Sequence, residues 1–239
     1  MSKNLFCIAV VALTAFGMSG ARAQAPAAPN AAQTAAQVKK FESTHALALD
    51  NNSGAQYNVG VYYEKGLGVP ADLAVARSWY QKAADQGHLK ALFNLGVMHM
   101  QGDGGPKDPV AAGKMFKMAA EKGHVDSMHN LGVMHEVGNG VSKDPKMAYI
   151  WFLKAAEVGN VASQVSVASM LRIGRGCERD FAQSAAWYLK AAEAGNATAQ
   201  ERIGYMYSVG QGVARDPVQA AKWAGFSKDN TDHISNVTK

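Results

Sequence analysis

Cysteine is nearly absent from this chain of 239 residues, which holds only Cys7 and Cys177. Cys7 sits in the first apolar stretch, too early and with the wrong neighbours for a lipoprotein cleavage box. Cys177 is then alone, and one cysteine cannot close an internal disulfide. Stability must come from packing, with Cys177 either a small buried apolar residue or a free thiol. Long apolar runs are also scarce. The run from Leu5 to Phe16 is too short to span a bilayer, and no later stretch is longer. Strong charge is missing too. The formal +5 includes Lys3 and Arg22, both close to the N-terminus, so the rest of the chain carries a small and scattered basic excess. Neither nucleic-acid binding nor membrane insertion is expected from that balance.

The usual catalytic constellations are missing as well. There is no Ser-x-x-Lys, Lys-Thr-Gly, Gly-x-Ser-x-Gly or phosphate loop. Pieces such as "GNGV" at 138–141 fall at helix C-termini, whereas a phosphate cradle belongs at an N-terminus. His135-Glu136 does not continue into a zinc-protease motif. His99, His129 and His135 have no converging carboxylate, and Cys177 has no base beside it. No metal, no cofactor and no enzymatic activity are expected.

Residues 1–23, "MSKNLFCIAVVALTAFGMSGARA", have the three parts of a secretory signal: a weakly basic start, an apolar run and Ala21-Arg22-Ala23. Cleavage between Ala23 and Gln24 is expected, which places the protein in the periplasm or outside the cell. Residues 24–35 are rich in alanine and proline and read as a linker.

The remainder repeats itself. "NLGVMHMQGDGGPKDP" at 94–109 returns as "NLGVMHEVGNGVSKDP" at 130–145. Asp72, Asp108, Asp144, Asp180 and Asp216 are spaced 36 residues apart, as are Gly66, Gly102, Gly138, Gly174 and Gly210. Trp79, Met115, Trp151, Trp187 and Trp223 form a further column, and no insertion breaks the register. A fixed period of this length marks a repeat architecture.

Each unit reads as two helices. Ala91, Leu95, Met98 and His99 have helical spacing and end at Gly102-x-Gly104, where positive φ stops the helix. Asp-Pro at 108–109, 144–145 and 216–217 starts the second helix with a capping carboxylate and a proline at the first position. Gly60, Gly96, Gly132 and Gly204 fall inside the first helix, where glycine costs about 1 kcal/mol against alanine. Their missing Cβ suits a close approach by the partner helix. One helix pair cannot hide both its faces, so units must stack. The expected fold is all-α: a solenoid of five 36-residue helix pairs, at 53–88, 89–124, 125–160, 161–196 and 197–228. Residues 36–50 read as an N-terminal capping helix, with Leu47-Ala48 in register with Ala83-Ala84, and residues 229–239 as a polar tail.

The histidines fall in columns of their own. His99 and His135 share the column of Tyr63 and Tyr207, which predicts a stacked aromatic ladder. His88 and His124 stand where Asn160 and Asn196 stand in later units, just after a helix-ending glycine, and read as caps or turns.

The pattern A-x-x-N-L-G-x-M-[YH]-x-x-G-x-G-V-x-x-D-x-x-x-A-x-x-W, followed by K-A-A-E-x-G, resembles the Sel-one-like repeat family, a relative of the tetratricopeptide repeat. The likeness covers residues 55–226 with all five units in phase. It implies a right-handed α/α superhelix with the first helices on the concave side, and an adaptor that binds a protein or peptide, here as a monomer. Members acting on host proteins and a cysteine-rich group binding penicillin-type ligands keep two other readings open, a host-directed factor and a hydrolase or penicillin-binding protein. The paired cysteines of that second group are missing here.

Three rows of variable positions are candidates for the binding face. The first is Tyr57, Phe93, His129, Val165 and Glu201; the second is Val61, Val97, Val133, Ser169 and Tyr205. Both are apolar or aromatic over three units and turn polar afterwards. The valines either line a groove or pack between neighbouring helices. The third row is Asn58, Asn94, Asn130, Ser166 and Arg202. The resemblance implies that asparagine here grips a ligand backbone and arginine a carboxylate; an asparagine that bonds to a neighbouring helix is the other reading.

Overall fold

The structure, a computed structural model, describes residues 34–225. The expected signal peptide, its cleavage point, residues 24–33 of the linker and residues 226–239 lie outside the described residues.

Ten helices come in order: α1 (Ala35–Leu49), α2 (Ser53–Lys65), α3 (Leu73–Asp85), α4 (Leu89–Gln101), α5 (Pro109–Glu121), α6 (Val125–Val137), α7 (Pro145–Glu157), α8 (Val161–Ile173), α9 (Phe181–Glu193) and α10 (Ala197–Val209). An eleventh, α11, occupies residues 217–225. Each helix packs mainly on its neighbours in sequence, which makes the protein an all-α solenoid of helix pairs with α1 as its N-terminal cap.

The caps are those the sequence calls for. The side chains of Asp72, Asp108, Asp144, Asp180 and Asp216 accept from the backbone N–H three residues on, at 2.9 to 3.1 Å. Each first helix ends on a glycine in the left-handed region, as at Gly102 with φ 87°. Between the pairs lies an alanine-lined core. Ala83, Ala119, Ala155 and Ala191 are wholly buried, and the aromatic rings of Tyr80, Phe116 and Phe152 fill the space beside them.

Two glycine columns set the spacing. Within a unit, a Cβ on Gly96 would lie 2.7 Å from the Phe116 ring, so the ring lies directly on the backbone of α4. Between units, a Cβ on Gly140 would lie 2.1 Å from the Pro109 carbonyl oxygen, so the turn after α6 rests on the first turn of α5. The sequence suggests only a helix stop for this second glycine of Gly-x-Gly; it is the joint between units. Gly68 rests in the same way on the Gln37 carbonyl of α1, so α1 stands in for a preceding second helix. Asn51, at φ 62°, fills the left-handed position that Gly87 holds one unit later.

A buried glutamine ties units together. Gln56, Gln164 and Gln200 donate through Nε2 to the carbonyls of Ala48, Ala156 and Ala192, near the C-termini of the helices that precede them.

The histidine column at 99 and 135 differs from expectation. Among the described residues no ring stack joins them. His99 Nδ1 accepts from Arg77 Nη2 at 2.7 Å, and His135 Nδ1 lies 3.1 Å from the Ser142 carbonyl. His135 thus holds the loop after its own helix, and His99 holds Arg77 of α3, whose Nη1 donates to the loop carbonyls of Asp103 and Pro106, a polar task that a tyrosine column does not announce. Cys177 packs half-buried beside Tyr149, and burial pushes its thiol pKa up, as for a packing residue.

Candidate functional site: the open face of the first helices

Positions 57, 58 and 61 recur at helical spacing on one face of α2, and their equivalents do the same in α4, α6, α8 and α10. This is the face the sequence singles out.

Its first row is held from two sides. Tyr57 lies between the Tyr80 ring, centroids 5.7 Å apart, and the His88 ring, stacked at 4.8 Å. Phe93 lies in the same way between Phe116 at 5.9 Å and His124 at 5.0 Å. Both are half-buried. His129 is closed in, only 8% exposed, against Phe152 and with Nδ1 2.8 Å from Ser163 Oγ. Burial lowers its pKa, partly opposed by Asp126. Val165 is half-buried and Glu201 exposed.

Histidines 88 and 124 are N-caps. Their Nδ1 atoms accept from the backbone N–H of Ala91 at 3.2 Å and Ser127 at 3.3 Å. The same position is held elsewhere by Asn52, Asn160 and Asn196.

In the second row, Val61, Val97 and Val133 are half-buried and pack against the cores of their own and neighbouring units, Val97 with Phe116 and Met134. Ser169 is half-buried, and Tyr205 is 56% exposed. In the third row, Asn58 and Arg202 are exposed, while Asn94, Asn130 and Ser166 are half-buried.

Asn94 has a particular setting. Tyr80 donates its hydroxyl to Glu64 Oε2. Burial raises the pKa of Tyr80 strongly, the Glu64 hydrogen bond adds to it, and the Asn94 amide works the other way. Tyr57 shows the same order: burial raises it, Glu64 raises it, and Asn94 opposes. The amide of Asn94 therefore faces two phenols of the unit before.

One row was missed by sequence reasoning. Val137, Ile173 and Val209 end three successive first helices and are 56%, 51% and 51% exposed. They fall one helical turn beyond Val133, Ser169 and Tyr205, on the same face. The apolar surface thus does not stop after the third unit. It shifts along the helices, from Tyr57 and Phe93 toward Tyr205 and Val209. The available signal was the four-residue spacing from the second row.

No three His, Cys, Asp or Glu side chains among the described residues come together to hold a metal. No helix among them is long and apolar enough to cross a membrane. The arrangement offers contact area, amides and rings, and no activated nucleophile.

A chain of stacked helix pairs with such a face is a repeat scaffold of the kind that binds other proteins. The Sel1 repeat model matches residues 53–88, 89–124, 125–160, 161–196 and 197–226, and the chain belongs to that family. Among solved structures it is similar to a protective antigen of uropathogenic Escherichia coli displaying an SLR fold. That match has 37% identity and a TM-score of 0.77 over 80% of this chain. It is similar also to a Sel1 repeat protein from Oxalobacter formigenes, with 32% identity and a TM-score of 0.74, covering 80% of this chain and 82% of that one. The match spans 41% of the length of the Escherichia coli antigen. No protein of curated function matches the sequence.

Proposed function

We propose that this protein is an exported, monomeric adaptor that binds an extended segment of a partner protein along the concave face of its first helices. The observation that carries this reading is the combination on one face of partly exposed rings, the half-buried Tyr57 and Phe93, with a row of amides, Asn58, Asn94 and Asn130. An amide both donates and accepts, which suits a peptide backbone that needs each in alternation. Val137, Ile173, Tyr205 and Val209 extend the apolar surface beyond those rings, and contiguous exposed apolar side chains mark interaction sites. Val61, Val97 and Val133 form the floor between the two stretches, and His129 with Asn130 marks the crossing point. Arg202 supplies a cation for a carboxylate at the far end.

Export is supported by the signal pattern at residues 1–23. Location outside the cell, with a host protein as partner, is favoured by one observation, the likeness to an Escherichia coli protein described as a protective antigen.

The test is site-specific photocrosslinking in the native envelope, with the reactive group placed at 93, at 173 and, as a control, at 114 on a second helix. The proposal expects one partner captured from 93 and 173 and nothing from 114. Capture from 114 alone removes the face from consideration.

A further inference from the structure

The two capping histidines stand directly behind the two rings of the proposed face. Nδ1 of His88 and of His124 must carry a free lone pair, because each accepts a backbone N–H at 3.2 and 3.3 Å. A proton placed on Nδ1 would turn the acceptor into a donor that faces another donor. The ring would also become a cation at the positive end of a helix. Either effect expels the ring from the cap, and with it the surface on which Tyr57 or Phe93 rests. The asparagines of the equivalent caps, bonded at 2.8 to 2.9 Å, carry no such proton.

The neighbours of each ring set the balance. Around His88 stand Lys90 of α4, the Lys122 ammonium beside Gly87, and the phenol of Tyr57 from α2. Lys90 opposes protonation. Around His124 stand Asp126 of α6, which favours it, and Lys90, which opposes it. Ser127 Oγ, 3.0 Å from His124 Nδ1, can donate to the neutral ring or accept from a protonated one, which cushions this second site. Burial is the leading cause that lowers the pKa of both, so the neutral capping form belongs to the folded state.

We propose that His88 and His124 are acid-sensitive catches that hold the aromatic part of the binding face in shape at neutral pH and release it in mild acid. Units with asparagine caps stay closed, so the response is confined to the face formed by α2, α4 and α6. The catch itself stands on the cap geometry; its effect on binding rests on the function proposed above.

The experiment is hydrogen exchange of the full chain at neutral pH and at about pH 5, corrected for intrinsic rates. His88→Asn, His124→Asn and the double variant, each carrying the residue native to the other caps, are measured beside it. In acid, the amides of Ala91 and Ser127 should lose protection by roughly five- to tenfold, about what one cap supplies. Those of Ala55 and Ala199 should lose less, and the asparagine variants should bring their own sites down to the loss of those two. Equal protection at both pH values, or a loss at Ala91 and Ser127 that still exceeds the loss at Ala55 and Ala199 in the double variant, overturns the catch. Affinity for a crosslinked partner, measured over the same range, tests the coupling separately. If wild type and double variant lose affinity alike, the histidines do not govern the face. A partner that binds elsewhere sinks the proposed function and leaves the exchange result standing.

Discussion

The Phe116 ring occupies the space a side chain on Gly96 would need, with ring atoms 2.7 Å from the position of its Cβ. Gly96→Ala gains about 1 kcal/mol of helix propensity and must then push a fully buried ring out of a packed core. Overpacking of that kind costs ~1–3 kcal/mol and sometimes more. A net destabilisation of about 1 kcal/mol is expected, read from denaturant unfolding. Gly204→Ala is the control. There the nearest atom is the Trp223 Cβ at 3.3 Å, and the change should be close to neutral. Equal losses at the two positions would mean that ring contact does not decide the cost.

The asparagine row separates into two kinds. Asn130→Ala should weaken partner binding by about 1–3 kcal/mol, the cost of leaving a buried polar group unpaired, with little change in melting temperature. Asn94→Ala should weaken binding and also lower melting, because its amide faces the phenols of Tyr57 and Tyr80 in the unit before. Melting and affinity measured on the same preparations decide this. Asn130→Ala that melts early and binds normally would make the whole row a packing feature.

Stability should fall in mild acid. Burial lowers the pKa of His99, with Arg77 adding to it against Asp108, and burial lowers that of His129. A histidine depressed in the folded state contributes its full stability above the unfolded pKa of about 6.5 and loses it as pH drops through that value toward the folded one. Melting temperature should therefore decline from about pH 7 to pH 5. His99→Tyr, the residue of Tyr63 and Tyr207, should flatten part of that decline. The capping carboxylates of Asp108 and Asp180, lowered mainly by backbone N–H bonds, act in a separate window at lower pH. A melting curve independent of pH over the upper window would contradict the assignment.

Export predicts a defined N-terminus. Full-length protein expressed in a Gram-negative host should be recovered from the periplasm beginning at Gln24. N-terminal sequencing that finds Met1 on a cytoplasmic chain would remove the compartment from the functional proposal.

The regular parts of this fold were written plainly in the sequence. Aspartate caps, left-handed glycines and alanine columns recur because each satisfies a local backbone or packing need, and local needs leave local signatures. The caps at His88 and His124 were legible for the same reason. The joint at Gly140 was not, because it sets a glycine against a carbonyl, and backbone carbonyls are the same in every residue. His99 was misread because its partner, Arg77, lies on another helix and marks only one unit. Of the binding face, the rows through Tyr57, Val61 and Asn58 were visible as variable columns. Val137, Ile173 and Val209 were not, since a residue just before a helix-ending glycine looks like part of the stop.

Gly68 rests on α1 as Gly140 rests on α5, and neither contact involves a chosen pair of side chains. This glycine joint between units is therefore generic, whatever side-chain ties such as His129 with Ser163 a given pair of units adds. A gene built this way can lengthen or shorten by whole units through unequal recombination without inventing a new interface. Selection is then free to act on the open face alone. Partner preference can drift unit by unit, while the joints stay fixed by a hydrogen atom where other residues carry a side chain.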